Sequence, residues 1–258
     1  MRTWIFLRGL TRETAHWGSF IADFQHAVPA SQVISLDLPG NGHLNTMPGP
    51  LSIAAMVSHC RAELKRRGEK PPFYLLAMSL GAMVATEWAY QAPDELAGCV
   101  LINTSLRPFS PFYRRLQPHN YLPLLRLALP GGGPTDWERT VLRLTSNQTA
   151  THDGVIPEWV AARMQRPVSA SNALRQLLAA ARYRARIEAP ATRMLLLASE
   201  RDRLVDARCS RAISENWRCP LEMHPSAGHD IPLDDPLWVI RQVLQWLGEK
   251  SEFPARQL

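Results

Sequence analysis

A short apolar run, Phe73 to Met78, passes through one serine into an alanine-rich stretch from Leu80 to Tyr90, and this junction constrains the chain more than any other segment. The run has the length of a buried strand, while the stretch beyond it, with larger residues at 80, 83, 84 and 88, has the spacing of a helix. Ser79 stands between them. Ala77 and Gly81 are small at the two positions that crowd a sharp strand-to-helix turn, a geometry that lifts a hydroxyl onto a helix N-terminus. Taken alone, the junction also suits a plain strand followed by an N-capping serine.

The same rhythm recurs along the chain. Trp4 to Leu7 is a strand-length run ending in Arg8-Gly9-Leu10, a helix-like segment surrounds Trp17 to Phe24, and Gln32 to Asp37 enters the rigid loop Leu38-Pro39-Gly40-Asn41-Gly42-His43. Leu51 to Arg67 reads as helix and Leu96 to Asn103 as a further apolar run. Strands alternating with helices imply a parallel sheet covered on both faces, with Trp17 and Trp88 packing helices onto it. Between Leu106 and about Arg186 the alternation stops. Prolines and the run Gly131-Gly132-Gly133-Pro134 separate helix-like pieces at Asp136 to Leu144, Pro157 to Arg163 and Ala173 to Arg186. The rhythm returns with a strand at Arg193 to Ala198, a helix at Ala207 to Trp217, a short strand at Pro220 to His224 and a closing helix at Pro236 to Leu247. The expected organisation is a core of residues 1–105 and 187–250, a helical cap at 106–186 over one end of the sheet, and a loose tail at 251–258.

Composition narrows the function classes. A chain of 258 residues, 46% hydrophobic and 20% charged, has the make-up of a globular α/β domain with a large core. It contains no apolar stretch of the roughly 20 residues that span a bilayer, and no charged leader with a cleavage site, so a cytoplasmic protein is expected. Cys60, Cys99, Cys209 and Cys219 lack CxxC spacing and read as free thiols in a reducing compartment. Asn147-Gln148-Thr149 is a formal N-glycosylation sequon, without consequence in that compartment. The net charge of +6 rests on 26 Arg against 3 Lys, and residues 107–186 alone hold 12 Arg against 4 acidic residues, an excess of +8. The basic character is local, and no helix-turn-helix, zinc or RNA-binding motif accompanies it, so no nucleic-acid partner is expected. It is either solvated helix surface or a field favouring substrates with a distal anion, with Arg107, Arg114 and Arg115 as candidates. His43, His152 and His224 have no metal-ligand spacing, Gly40 and Gly42 do not open a dinucleotide-binding helix, and no Walker sequence is present. Neither metal nor cofactor is expected.

Three residues then fall in a telling order: Ser79 in its turn, Asp202 in the loop Ser199 to Val205, and His229 in Ala227-Gly228-His229 after the last strand. With the D-x-P-G-x-G loop at Asp37 to Gly42, these features resemble the α/β-hydrolase fold family, in particular its small capped, carboxylesterase-like serine hydrolases, over most of the chain outside the insertion. Two departures stand out. Ala77 replaces the first glycine of the usual G-x-S-x-G, and Arg8-Gly9 stands where the family's loop begins His-Gly. The resemblance implies an α/β fold with a mostly parallel, doubly wound sheet of about six strands, since the first strand here corresponds to the family's third.

It also implies roles. Ser79 would attack, His229 would take its proton and return it to the leaving group, and Asp202 would fix the imidazole tautomer. Glu200 precedes the family's acid position, Asp230 adjoins the histidine, and Asn103, where some relatives carry the acid, cannot serve. Backbone N–H groups of Leu10 and Leu80 would form the oxyanion hole. Arg8 is expected either to pair with a nearby acid or to touch substrate, and Phe109, Phe112, Tyr113, Leu124 and Leu125 are candidates for an apolar wall around an acyl group. The implied activity is hydrolysis of a small or medium ester through an acyl-enzyme. A lactonase, thioesterase or carbon-carbon hydrolase with the same triad, or a binder without turnover, are the alternatives.

Overall fold

Each expected strand takes its place in one sheet: β1 (Arg2–Leu7), β2 (Ser31–Leu36), β3 (Phe73–Met78), β4 (Leu96–Ile102), β5 (Met194–Ser199) and β6 (Leu221–His224), all parallel, in the order β2-β1-β3-β4-β5-β6. The computed structural model describes residues 1–128 and 132–249, so the expected tail at 251–258 and Gly131 of the glycine run lie outside the described residues. All of β5 and the last four residues of β1 are buried. Strands covered on both faces read as continuous apolar runs rather than alternating ones, which is why their boundaries are legible.

Successive side chains divide between two cores. Ile5, Leu7, Leu75, Ala77, Cys99 and Leu101 face α2 (Ile53–Arg66) and α3 (Leu80–Gln91), where Trp88 is fully buried. Trp4, Phe6, Leu76, Met78, Val100 and Ile102 face α1 (Phe20–Ala27) and α12 (Pro236–Leu247), with Trp17 stacked on Phe20. The remaining core helices are α10 (Arg208–Trp217) and the short α11 (Ile231–Asp234). From β1 the chain steps to β2 on one side and then crosses back to β3 on the other, so the loops leaving β1 and β3 part at their carboxyl ends. That reversal makes the β1–β3 boundary the topological switch point, the place outside whose carboxyl ends ligands of open α/β sheets bind.

Between β4 and β5 lie α4 (Phe112–Arg115), α5 (Tyr121–Ala128), α6 (Pro134–Thr145), α7 (Thr149–His152), α8 (Ile156–Gln165) and α9 (Ala170–Arg182). The two ends of this segment meet in a single parallel bridge between Arg107 and Arg184, with Ala185 N–H donating to Arg107 O at 2.8 Å. The expected helix from Ala173 to Arg186 therefore starts earlier and stops at Arg182. Residues 183–186 alternate buried and exposed instead, with Tyr183 and Ala185 turned inward. The segment is fastened to the core by ion pairs, the buried Arg12 to Glu138 at 2.6 Å and the partly buried Arg166 to Glu13 at 2.7 Å.

Helix α9 is built inside out. Asn172 and Gln176 are buried, with Ala179 on the same face, whereas Leu174 and Leu177 are 56% and 46% exposed. Amide hydrogen bonds replace apolar packing over its first turns: Asn172 accepts from Gly49 N (2.8 Å) and donates to Asn45 O and Met47 O (3.1 Å each).

Candidate active site

The turn after β3 has the strained form its sequence suggests. Ser79 adopts φ 55° and ψ −113°, a conformation that costs a non-glycine residue about 1–3 kcal/mol and survives only where its surroundings enforce it. Gly81 is part of that enforcement: a Cβ there would lie 2.5 Å from Leu7 O and 2.7 Å from Arg8 O, so only glycine lets α3 start this close to the end of β1. Ala77, in place of the usual glycine, is fully buried in the ladder, opposite Leu7. Gly9 lies against the serine, since a Cβ on it would be 3.2 Å from Ser79 Cβ. Neither Leu10 nor Leu80 N–H has an acceptor among the described residues.

Asp202 and His229 meet. His229 Nδ1–H donates to Asp202 Oδ2 at 2.7 Å, with side chains 4% and 1% exposed. Asp202 Oδ1 accepts from Leu204 N (2.8 Å) and Val205 N (3.0 Å), so both oxygens are satisfied and the carboxylate is held by its own loop. The bond on Nδ1 puts the imidazole's basic nitrogen at Nε2, which, like Ser79 Oγ, has no partner among the described residues. Glu200 turns out to the surface and pairs with Arg211. Asn103, dismissed as an acid, acts as a brace: its Nδ2 donates to His229 O (2.7 Å) and its Oδ1 accepts from Ser199 N (2.9 Å). The histidine loop is also stitched to the helical segment. Asn147 Nδ2 donates to the carbonyls of Arg201, Ser226 and Ala227, and Asp230 N–H donates to Thr145 O.

Arg8 does not project toward a substrate. Its guanidinium is 4% exposed and grips Asp230 in a two-pronged pair (3.2 and 2.5 Å), while Nη1 also contacts Met78 Sδ at 3.5 Å and the group lies 4.6 Å over the Trp17 ring. The arginine thus joins the residue before Ser79 to the residue after His229. Of the two expectations for Arg8, the structure shows the pairing with an acid. Removing one partner of a buried pair strands the other charge, so Asp230→Asn is expected to destabilise the fold by about 3–5 kcal/mol in urea unfolding. The double change Arg8→Met/Asp230→Leu should recover most of that loss.

The residues expected as an apolar wall differ in their surroundings. Phe109 packs edge-on against Trp217 of α10, and Phe112 and Tyr113 pack on each other with Phe112 73% exposed. Leu125 is 60% exposed and Leu124 half-buried. The arginines named for anion selection are partly committed to α9, whose last carbonyls accept from Arg107 (Ala181 O, 3.3 Å) and Arg115 (Ala180 O, 2.8 Å).

His16 Nε2 accepts from Arg12 Nη1 at 2.9 Å, and burial, then the charges of Arg12 and Arg8, hold its imidazole well below the usual range, hence neutral. Burial pushes the thiols of Cys209 and Cys219 up to about 11 and that of Cys60 to about 12, so none is poised as a thiolate. No group of three or more metal-binding side chains occurs among the described residues, and none of their helices is long and apolar enough to cross a membrane.

A model of the alpha/beta hydrolase family matches residues 4–242. The chain belongs to that family. Among solved structures, this alpha/beta hydrolase is similar to a thermophilic esterase from Thermogutta terrifontis, at 21% identity and TM-score 0.74 over 96% of this chain and 90% of the other. A hydrolase from Pseudomonas aeruginosa PA01 aligns at 18% identity and TM-score 0.76 (96% and 90%), and a bacterial membrane phospholipase A at 18% and 0.75 (96% and 78%). At such identities the likeness is one of fold. Comparison with curated proteins gives no match.

Proposed function

We propose that the chain is a serine hydrolase, a carboxylesterase cleaving small or medium esters through an acyl-enzyme on Ser79. The observation that carries this reading is the buried 2.7 Å bond from His229 Nδ1 to Asp202, beyond a serine held in a strained turn at φ 55°. In the proposed cycle, His229 Nε2 takes the Ser79 proton as Oγ bonds to the ester carbonyl carbon, and the resulting oxyanion accepts from Leu10 and Leu80 N–H. Asp202 stabilises the imidazolium, which then protonates the departing alcohol as the C–O bond breaks. Water, deprotonated by the same nitrogen, attacks the acyl-enzyme and releases the acid and the serine. The absence of a Ser79–His229 hydrogen bond is compatible with this, because such contacts often tighten only with substrate bound.

The segment from 106 to 186 is proposed as a lid. Its fastening to the loops that carry Asp202, His229 and Leu10 supports a position over the site. The test is a series of p-nitrophenyl esters of increasing acyl length, with a lactone and a thioester alongside. Ester turnover with kcat/KM at least about tenfold above the lactone and thioester is expected, and preference for either of those would move the activity to another member of the same chemistry.

A further inference from the structure

The segment Gly9 to Arg12 belongs to no helix or strand, yet in the reading above it must hold the Leu10 N–H on an oxyanion. Its own turn is weak, with Arg12 N–H donating to Gly9 O at 3.3 Å, and Thr11 sits at φ 56°, in the left-handed region. What holds it comes from elsewhere. Thr11 N–H donates to Gln176 Oε1 at 2.9 Å, and Arg12 O accepts from Asn41 Nδ2 at 2.9 Å. The two amides are joined to each other, Gln176 Nε2 donating to Asn41 Oδ1 at 2.6 Å. Both side chains are fully buried, at 0% exposure. The result is a closed ring of hydrogen bonds running Thr11, Gln176, Asn41, Arg12.

We infer that Gln176 is a positioning residue for the oxyanion hole, acting with Asn41. The inference rests on the serine-hydrolase reading of Ser79. Only the two backbone torsions of Leu10 separate the peptide that Gln176 fixes, Leu10–Thr11, from the peptide that carries the Leu10 N–H. On its other side that peptide is set by Gly9 lying against Ser79. Gln176 comes from α9, so placement of the lid and alignment of the hole are one event. The inverted face of α9 suits this task, because hydrogen bonds between buried amides fix direction, whereas apolar contacts tolerate sliding. Without the Gln176 oxygen, the partly buried Thr11 N–H is left unpaired and the segment turns to find another acceptor.

The test is Gln176→Met, which keeps the volume and removes the acceptor. Three readouts are needed: kcat and KM on the preferred p-nitrophenyl ester, normalised to sites titrated with a fluorophosphonate; the melting temperature; and the ionisation of the Ser79 hemiketal formed with a carbon-13-labelled trifluoromethyl ketone. Loss of a whole donor from such a hole costs on the order of 10² to 10³ in kcat, so misalignment of one is expected to cost about 10- to 100-fold per titrated site, with KM within about twofold. The hemiketal should ionise at higher pH than in wild type, a change that loss of stability alone would not produce. Gln176→Glu, which retains an oxygen for Thr11 N–H, should recover part of the kcat. Asn41→Ala removes the other half of the ring and should shift kcat and hemiketal ionisation in the same direction, which keeps the test open if Gln176→Met does not fold. Wild-type kcat per titrated site and unchanged hemiketal ionisation in Gln176→Met and Asn41→Ala would overturn the role of Gln176. A wild-type protein that turns over no ester and forms no hemiketal would instead remove the serine-hydrolase reading beneath it.

Discussion

Ser79→Ala is expected to lower ester turnover by about a millionfold while leaving the fold intact, since loss of a triad serine typically costs that much. The size of the effect follows from the surroundings of the hydroxyl. His16 is locked by Arg12 and held neutral, the buried Cys209 thiol is pushed toward high pKa, and Glu200 is at the surface, so none of these groups is set up to take over the attack. Alanine keeps a Cβ and with it the strain at φ 55°, so stability should stay within about 0.5 kcal/mol of wild type. The measurement is kcat on a p-nitrophenyl ester, with unfolding midpoint and fluorophosphonate labelling of the peptide that contains position 79. Residual activity above about one hundredth of wild type would point to a different nucleophile.

Asp202→Asn is expected to cost roughly 10⁴-fold, and the structure explains why the amide cannot simply rotate to a harmless orientation. The loop amides of Leu204 and Val205 point at Oδ1, so an asparagine must present its carbonyl oxygen to them. Its NH₂ then faces His229 Nδ1 and forces that nitrogen to accept. The imidazole proton moves to Nε2, the nitrogen that in the proposed cycle must be bare to receive the proton of Ser79. Raising the pH should not rescue the variant, because the fault lies in the tautomer and not in the charge. Glu200→Gln, which changes only an exposed pair with Arg211, should be nearly silent. The opposite ranking of these two variants in kcat would show that the carboxylate has been placed in the wrong residue.

The core was legible because its signals are local. A buried parallel strand is a continuous apolar run, as in β3, β4 and β5, and all six expected strands sit within a residue or two of those formed, the partly exposed edge strands β2 and β6 included. Ser79 and Gly81 could be read because a sharp turn imposes residue size at fixed spacing. Within the helical segment the local signals mislead. Pro123 looks like a breaker, but it is the third residue of α5, in the first turn, where proline is tolerated, so that helix was missed. The alternation of Tyr183, Arg184, Ala185 and Arg186 carried a period of two that could have ended α9 in the right place. What remained hidden depends on contacts across the chain. The pairing of Arg8 with Asp230 spans 222 residues, and the bond from Thr11 to Gln176 spans 165. Read in isolation, a buried glutamine on a helix looks like solvent-facing surface, and nothing in the leucines of α9 announces that they face outward.

The stitching of the histidine loop by Asn147 has a consequence for how the protein can be produced. Its side-chain nitrogen already donates to three carbonyls, two of them just before Gly228 and His229. That nitrogen is also the atom to which oligosaccharyl transfer would couple a sugar, since Asn147-Gln148-Thr149 satisfies the acceptor sequence. A eukaryotic host that routes the nascent chain through its secretory pathway could modify Asn147 before residues 226–229 arrive to claim it, and a glycan there would prevent the loop from closing. Inactive, misfolded product from such a host, cured by Thr149→Ala, would therefore reflect the location of one amide and not any weakness of the fold.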